Sequence, residues 1–446
     1  MSEIHAQTAL HTAYVRTEML PEQTPPVTAA GPVKWVRENL FSSIPNAIMT
    51  VVSVVVIYYI VSHMFGWFVN GIWDAGSLSE CRQIRDARIA AGELPEHSEV
   101  ACWAVLSDRW NQLLFGFYPS HLYWRPILAV VLFLGAMAPV LYDSVPRKLL
   151  IGTLVAPFLC FWLLWGGTIW PPIVVALGFV IGWAIVKFGS DIVGNMPATI
   201  AAVLVPILFW LYLTGPLVGL LDSIAPIGIR SVASREFGGF LLAVVIGASG
   251  IILSMPLGVV LALGRQSDLF IINKCSVIFI EVIRGVPLIV WLFTAQLLLG
   301  YFLPPGSNFD LMLRVIIMVT LFSSAYIAEV IRGGLAALPR GQYEGADSLG
   351  LNYWQSMQLI ILPQALKISI PGIVSTFIGL FKDTTLVVFI GMFDPIGFSN
   401  AIRADTNWNG IYWELFIFIG LCFFICCFGM SRYSQYLERK LATDHR

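Results

Sequence analysis

The quartet Lys382, Asp383, Thr384 and Thr385 lies inside a long apolar run, where charged side chains are rare. Placing an ionisable side chain within a bilayer costs at least ~2.5 kcal/mol of free energy, so the presence of such a residue there indicates a function. An adjacent cation and anion with hydroxyls beside them can bind a small solute that carries both charges. The alternative is that Lys382 and Asp383 pair with neighbouring helices and hold the bundle together.

Two further charged pairs recur at helical spacing near the inner ends of apolar runs. Glu281 and Arg284 are three residues apart, and Glu329 and Arg332 repeat that spacing. Side chains at this spacing meet on one helix face, so we expect each pair to satisfy itself. A structural role or a gating role fits such pairs. Pro287 follows the first pair and predicts a kink that a gate can use.

The elements that position these residues are membrane-spanning helices. The chain has 446 residues, of which 57% are hydrophobic and only 12% charged, against about 25% charged in soluble domains. Apolar runs of roughly 20 residues recur, which predicts an all-α polytopic membrane protein. The second to fourth runs are short, which leaves nine and eleven spans as alternatives to ten. The ten candidate spans are 44–65, 126–142, 149–167, 171–187, 197–220, 238–263, 276–303, 311–331, 368–392 and 411–431.

The distribution of Lys and Arg predicts the orientation of these spans. With the N-terminus inside, most Lys and Arg fall in inner segments, and the short outer loops carry Arg230, Arg235 and Arg403. Cytoplasmic loops collect these residues, so both termini are predicted to be cytoplasmic. Residues 1–43 form a disordered tail without a signal peptide, and 437–446 form a second tail. Lys382 then lies roughly 22 Å from the inner end of its span, in the outer half.

The long loop at 66–125 is predicted to lie on the outer, periplasmic side. Its central part favours a helix to about Ala91 and a break at Gly92 and Pro95. The loop contains Cys81 and Cys102. In an oxidising compartment they can form a disulfide, and two free thiols are the alternative.

A polar stretch at 341–364, GQYEGADSLGLNYWQSMQLIILPQ, separates the eighth and ninth spans. Gln342 to Leu349 fit a short helix, Gly350 a sharp turn, and Leu351 to Leu362 a second helix ended by Pro363. This elbow is predicted on the cytoplasmic side, with an apolar and an acidic face that suit a groove on another protein. The alternative is a helix lying on lipid, but such helices carry Lys and Arg on their polar face. The predicted apolar face consists of Tyr343, Ala346 and Leu349, and the opposite face of Glu344, Asp347 and Ser348.

The letters EGADSLGL, at 344–351, with IILPQ at 360–364, resemble the EAA motif of ABC importer permeases. In that family this loop is the coupling helix, which fits a cleft on the cytoplasmic ATP-binding subunit. Gly345 stands where the motif usually has Ala. The remaining matched positions are Glu344, Ala346, Gly350 and Pro363, with Asp347 and Leu351 in the same segment.

The resemblance extends over about 238–440 and is specific to the polar amino-acid (histidine/glutamine-type) permeases. EVIRGVPLIV at 281–290, YIAEVIRGGL at 326–335 and FKDTTL at 381–386 match that subfamily in order. The resemblance implies a five-helix type I permease core at 238–436, with a coupling segment at 339–365. The N-terminal transmembrane extension at 44–237 resembles the larger, M-type permease subunits of general L-amino-acid uptake systems.

The resemblance also implies partners and a cargo. The expected complex contains a dimer of cytoplasmic ATPases that bind ATP and Mg²⁺, a second permease and a periplasmic amino-acid-binding protein, in the bacterial inner membrane. For a polar L-amino acid, Asp383 would bind the ammonium, and Thr384, Thr385 or Lys382 the carboxylate. Val286 and Trp291 replace polar residues that are usual in the subfamily, which favours a heterodimer whose principal site lies in the partner permease.

An enzyme is not indicated by the sequence. No GxxxxGK[ST] phosphate-binding loop occurs, so ATP binding belongs to a partner, and the scattered His and Cys predict no metal site. One rival interpretation is a secondary transporter driven by an ion gradient, which often shows inverted repeats with broken helices. Another is a membrane scaffold whose outer loop binds a partner, but it leaves Lys382 and Asp383 unexplained.

Overall fold

The computed structural model describes residues 31–142, 144–298 and 310–441. Its contacts divide the chain into two units. The first contains the described residues up to Gly71 together with Glu96–Ala101, and the second contains Ile72–Pro95 and the chain from Cys102 onwards.

The first unit contains helices α1 (Pro32–Asn39) and α2 (Ile44–Val69). The prediction of a disordered tail over 1–43 is wrong for 32–39, and residues 1–30 lie outside the described residues. Pro32 provides a preformed first turn for α1, and Lys34 lies 3.9 Å from Glu38 one turn later. The Ser43 side chain caps α2 by accepting a hydrogen bond from the Asn46 amide.

The second unit is mainly helical, and the predicted all-α polytopic fold is confirmed. Across the described residues, eight helices are long and apolar enough to cross a membrane, or up to ten if each of two bent pairs is one span. The helices before the core are α3 (Leu78–Ala90), α4 (Ala104–Phe115), α5 (Trp124–Leu141), α6 (Leu150–Trp165), α7 (Trp170–Val193), α8 (Asn195–Tyr212) and α9 (Thr214–Ile224). The rest are α10 (Gly239–Gln266), α11 (Phe270–Gly285), α12 (Leu288–Phe293), α13 (Leu311–Ala336), α14 (Arg340–Ser348), α15 (Tyr353–Ser356), α16 (Leu362–Asp383), α17 (Pro395–Ala404) and α18 (Trp413–Leu441).

The two bent pairs depart from the predicted continuous spans. Helices α8 and α9 meet at 57°, and α11 and α12 meet at 102°. Pro216 lies in the first turn of α9 and Pro287 directly precedes α12. A proline lacks the amide donor and forces the residue before it into an extended conformation, as Val286 shows with φ −121°. The break at Pro287 is therefore much sharper than a kink.

The core is built from α10, α13 and α16, which pack on one another, with α11 against α10 and α18 along α16. One buried cluster includes Leu242, Ile246, Val315, Val319 and Leu380. A second cluster, toward the other end of the same helices, includes Ala262, Ile327, Ile331, Ile361 and Ala365. Outside the core, α5 pairs with α6 and α7 with α8.

Short segments hold the connections between these helices. Strand β1 (Gly167–Thr168) pairs antiparallel with β2 (Gly228–Ile229). The buried Arg125 donates a 2.7 Å hydrogen bond to the carbonyl of Arg230, which fixes α5 to the segment after β2.

Helix α18 continues to Leu441, so the predicted tail over 437–446 is helical through Leu441, and 442–446 lie outside the described residues.

Candidate functional site

The polar segment between α13 and α16 folds as a helical elbow, residues 339–363. Helix α14 begins after Pro339 and ends at Ser348, and Gly350 then adopts φ 70°. This left-handed conformation is strained for residues with a Cβ, so glycine suits the turn. Asn352 starts the next helix, where its side chain and that of Gln355 cap each other's backbone amides at 2.9 and 3.0 Å.

The elbow helix has one face on the core and one face free within the described structure. Ala346 is completely buried, and Tyr343 packs on the cluster that contains Met357 and Ile361. Burial raises the pKa of the Tyr343 phenol, which keeps it neutral. The exposed residues are Glu344, Gly345, Asp347 and Ser348, whereas Leu351 is half-buried.

The predicted position of Leu349 on the apolar face is wrong, because its side chain is 73% exposed. Helix α14 ends at Ser348, and Leu349 already belongs to the turn that leads to Gly350. The helical spacing that groups Leu349 with Ala346 therefore no longer applies. Leu349 instead adds an apolar side chain to the free surface of the elbow.

The prediction that the second elbow helix ends at Pro363 is also wrong. The helix runs without a break from Tyr353 to Ile390. Residues Met357–Ile361 form a π-helical turn, and Pro363 stands in the first turn of α16. A proline clashes with the carbonyl four residues earlier in an α-helix, here that of Leu359. The wider π-helical turn at this position accommodates the ring without ending the helix.

Charged side chains from three helices meet on the core near the start of the elbow. Arg265 of α10 lies 3.0 Å from Glu281 of α11 and 3.2 Å from Glu329 of α13. Glu329 also bonds Arg332 at 2.6 Å and lies 3.8 Å from Arg284. The predicted pairing of Glu329 with Arg332 is present. The predicted pairing of Glu281 with Arg284 is wrong. Glu281 pairs with a residue of α10, and Arg284 pairs with a residue of α13.

Arg265 is the member of this network that the sequence does not reveal as a site residue. It lies 16 residues from Glu281 and 64 residues from Glu329 along the chain. No helical spacing connects residues so far apart. Only the packing of α10, α11 and α13 on one another brings them together.

The quartet at 382–385 lies where α16 passes into a 3₁₀ segment, Thr384–Ile390. It is closer to the Ile390 end of the continuous helix than to the Tyr353 end. The Thr384 hydroxyl donates to the Phe381 carbonyl at 2.7 Å, and the Thr385 hydroxyl donates to the Lys382 carbonyl at 2.9 Å. Lys382 is exposed and Asp383 is half-buried. Among the residues that the structure describes, neither of them forms an ion pair.

Comparisons with known proteins assign the chain to a family. Residues 254–443 match the family model described as "Binding-protein-dependent transport system inner membrane component". The chain is 56% identical to the glutamate/glutamine/aspartate/asparagine transport system permease protein BztC of Rhodobacter capsulatus, over 98% of this chain and 99% of that protein. The chain belongs to the ABC transporter permease family.

One further relative agrees with this membership. The permease is 35% identical to the inner membrane amino-acid ABC transporter permease protein YhdY of Escherichia coli, over 92% of this chain and 93% of that protein. A crystal structure described as an amino acid ABC transporter with histidines matches at a TM-score of 0.41 and 30% identity, covering 45% of this chain and 91% of that one.

Family membership establishes the general role of the permease. It is a multi-pass subunit of an ABC importer, a class that works in the inner membrane with ATP-binding subunits and a substrate-binding protein. Such a permease is the membrane subunit of a transport complex and is not itself an enzyme. The family resemblance predicted from the motifs is confirmed.

In the permease, parts of the long loop are fixed to the connection before α18 and to the first turn of α18. Cys81 and Cys102 form a disulfide, and the Cys102 amide donates to buried Glu414 at 2.8 Å. Arg109 pairs with Asp405 at 2.8 Å. The loop is therefore an integral part of the fold on this side of the core.

Asp394 is a second residue that the sequence does not single out. Its buried carboxylate caps α17 by accepting a 2.8 Å hydrogen bond from the Gly397 amide. Burial raises the pKa of this carboxyl to about 6, against the lowering effect of amide hydrogen bonds from Gly397 and Ile396. Among the described residues, its second oxygen has no hydrogen-bond partner. The group is therefore poised to titrate near neutral pH.

Proposed function

We propose that the permease moves polar L-amino acids from the periplasm to the cytoplasm, driven by ATP hydrolysis in partner subunits that dock on the elbow. The observation that carries this proposal is the construction of α14. One face is anchored by Ala346 and Tyr343, while Glu344, Gly345 and Asp347 remain free. A helix anchored on one side and exposed on the other can transmit a push from a docked subunit into the core.

The Lys and Arg distribution supports cytoplasmic N- and C-termini, which places the elbow in the cytoplasm with the ATPases. Two ATPases, each binding ATP and Mg²⁺, would dock on two permeases. Their closure would rock the core helices between inward-open and outward-open states. The same orientation places residues 72–118 in the periplasm, where a disulfide is stable.

The amino acid would be bound around Lys382 and Asp383. BztC is named for glutamate, glutamine, aspartate and asparagine, whose side chains differ in charge. A site for all four would recognise the shared ammonium and carboxylate, through Asp383 and Lys382 respectively. The hydroxyl donors of Thr384 and Thr385 are already engaged by backbone carbonyls, and Thr384 is buried. The carboxylate is therefore proposed to bind Lys382 rather than either threonine.

The second permease is proposed to be a different chain. Trp291 donates to the Ile283 carbonyl at 3.2 Å and so bridges the break at Pro287. Val286 and Trp291 therefore stabilise the fold at this position and offer no polar ligand for a substrate. A partner permease that keeps polar residues there would supply the polar substrate contacts that this chain lacks at that position.

The charged network is proposed to act as a gate element on the cytoplasmic side of the pathway. Glu329 joins α13 to Arg265 on α10 and to Arg284 on α11. These contacts join three helices and lie beside the break at Pro287. A rocking motion that separates α10 from α13 would have to exchange them, so they favour one state of the core.

Transport by the reconstituted complex tests this function. The co-purified complex is placed in vesicles with the binding protein, and uptake of labelled glutamate and glutamine is measured with ATP or with an imposed ion gradient. Uptake that requires ATP and competes with aspartate and asparagine supports the proposal. Uptake driven by the gradient without ATP would favour the secondary transporter instead.

A further inference from the structure

A cavity of about 550 Å³ lies between the N-terminal extension and the permease core. Helices α5 and α6 line one side, through residues such as Val130 and Phe161, and α10 and α13 line the other, through Val245 and Met312. A volume of this size is within the range of ligand-binding pockets.

The cavity is confined to one end of the helices that line it. The lining residues come from the first half of α5, the second half of α6, the first half of α10 and the start of α13. Along α10 the lining runs from Leu241 to Ile252, which is roughly 16 Å at the helical rise. That length is about half of a 30 Å hydrocarbon core. In the proposed orientation this is the periplasmic leaflet.

The lining is almost entirely apolar, and this excludes most occupants. The polar side chains at its edge and within it are Ser234, Ser249 and Asp310. A buried water needs two to four polar partners, so water does not suit such a surface. A polar amino acid would likewise leave its charges without partners. A hydrocarbon chain recovers dispersion contacts along the whole wall.

The mouth of the cavity carries the groups expected at the membrane surface. Trp165 donates a 2.9 Å hydrogen bond to Ser234, and indole rings favour the interface. Asp310 caps α13 through a 2.9 Å bond from the Met312 amide and is itself exposed. Among the described residues, the lining contains Asp310 but no Lys or Arg, so the mouth favours a headgroup that carries an amine.

We infer that this cavity is a binding site for one acyl chain of an aminophospholipid, with the amine of its headgroup near Asp310. The lipid fills the seam between the extension and the core and thereby couples α5 and α6 to α10. The lipid site does not depend on which solute the permease carries. A failed test of this site would therefore leave the proposed transport function unaffected.

Photo-crosslinking in vesicles tests the site. The probe is a phosphatidylethanolamine with a diazirine midway along one acyl chain, mixed into phosphatidylethanolamine and phosphatidylglycerol vesicles that hold the full complex. The label is expected on peptides that cover 126–133, 157–165 and 241–252. Labelling spread evenly over lipid-facing helices such as α7 would overturn the inference.

Two adjacent valines provide a matched control. Val130 lines the cavity, whereas Val131 does not and is 60% exposed. Val130→Trp should remove most of the label from these peptides, and Val131→Trp should leave it intact. Equal labelling of both variants contradicts the site. If Val130→Trp does not accumulate, Ala248→Leu fills the cavity from α10 and is judged by the same loss.

Two further labelling experiments distinguish an aminophospholipid from other occupants of the cavity. A phosphatidylglycerol probe with the same diazirine should label these peptides less than the aminophospholipid, and equal labelling would overturn the preference for an amine. Label that is present in the isolated chain but absent from the assembled complex would show that a partner helix fills the cavity, contrary to the inference.

Discussion

The side-chain amide of Gln364 donates a 2.9 Å hydrogen bond to the side-chain oxygen of Gln342. This bond ties the first turn of the elbow helix α14 directly to α16, the helix that ends at Lys382 and Asp383. The same Gln364 nitrogen lies 2.9 Å from the Ile360 carbonyl in the π-helical turn. Under the proposed function, a movement of the elbow would be passed to α16 at this contact as well as through the backbone.

Replacement of Gln342 or Gln364 by Leu should weaken this transmission without removing the docking face. A neutral hydrogen bond contributes about 1 kcal/mol, so we expect a several-fold loss of amino-acid uptake per ATP hydrolysed. The two single variants and the double variant form a cycle. Effects that simply add would show that the two side chains do not act together.

Glu329→Gln should destabilise the core by about 1–3 kcal/mol, because Arg265, Arg284 and Arg332 would lose their shared anion. The measurement is the Tm of the purified complex at low and high salt. Glu281→Gln is the matched control, since within the described residues Glu281 forms an ion pair with Arg265 only and its side chain is 55% exposed. An equal loss of stability in both variants would contradict the central position of Glu329.

Asp383→Asn should raise the KM for the transported amino acid by about tenfold or more, because a charged hydrogen bond to an ammonium is replaced by a neutral one. Uptake measured over a range of concentrations shows the change. Thr385→Val is the control, since its hydroxyl donor already serves the Lys382 carbonyl, and a smaller effect is expected. An Asp383→Ala variant with full uptake and unchanged KM would remove Asp383 from the site.

The pH dependence of stability should reveal Asp394. The folded-state pKa of about 6 lies above the ordinary value of 3.8, so between these values the folded state binds more protons than the unfolded state. The contribution of this group to stability is therefore largest below about pH 4 and falls as the pH rises through about 6.

Asp394→Asn keeps an oxygen that can cap α17 and removes the titration. The Tm of the variant complex should decline less between about pH 4.5 and 7 than that of the native complex. Parallel Tm profiles for the two proteins would show that Asp394 does not titrate in this range.

The features that the sequence predicts are those encoded over a few residues. The left-handed turn at Gly350 follows from the only residue type that adopts it freely, and the bond between Glu329 and Arg332 follows from helical spacing. Long apolar runs likewise predict the spans, because the bilayer imposes their length.

Features that depend on packing were not predictable in this way. Arg265 joins the acids of two other helices only after α10, α11 and α13 assemble. The sequence pattern predicts a helix end at Pro363, but the π-helical turn over Met357–Ile361 accommodates the proline within a continuous helix. The indole of Trp291 bridges the break at Pro287 by donating to the Ile283 carbonyl. No local pattern in the sequence predicts this contact.

The exposed face of α14 is where we propose that an ATPase docks. The most direct measurement is co-purification of the tagged permease from mild detergent, beside Gly345→Arg. A Cβ at Gly345 meets no atom within 4 Å, so the variant should fold, and its bulky cation should block docking. Asn39→Arg, on exposed α1, is the matched control.

We expect the native chain and Asn39→Arg to retain an ATP-binding subunit and a second permease, and Gly345→Arg to lose the ATP-binding subunit while keeping the second permease. Retention of the ATP-binding subunit by Gly345→Arg at the native level would contradict docking on α14.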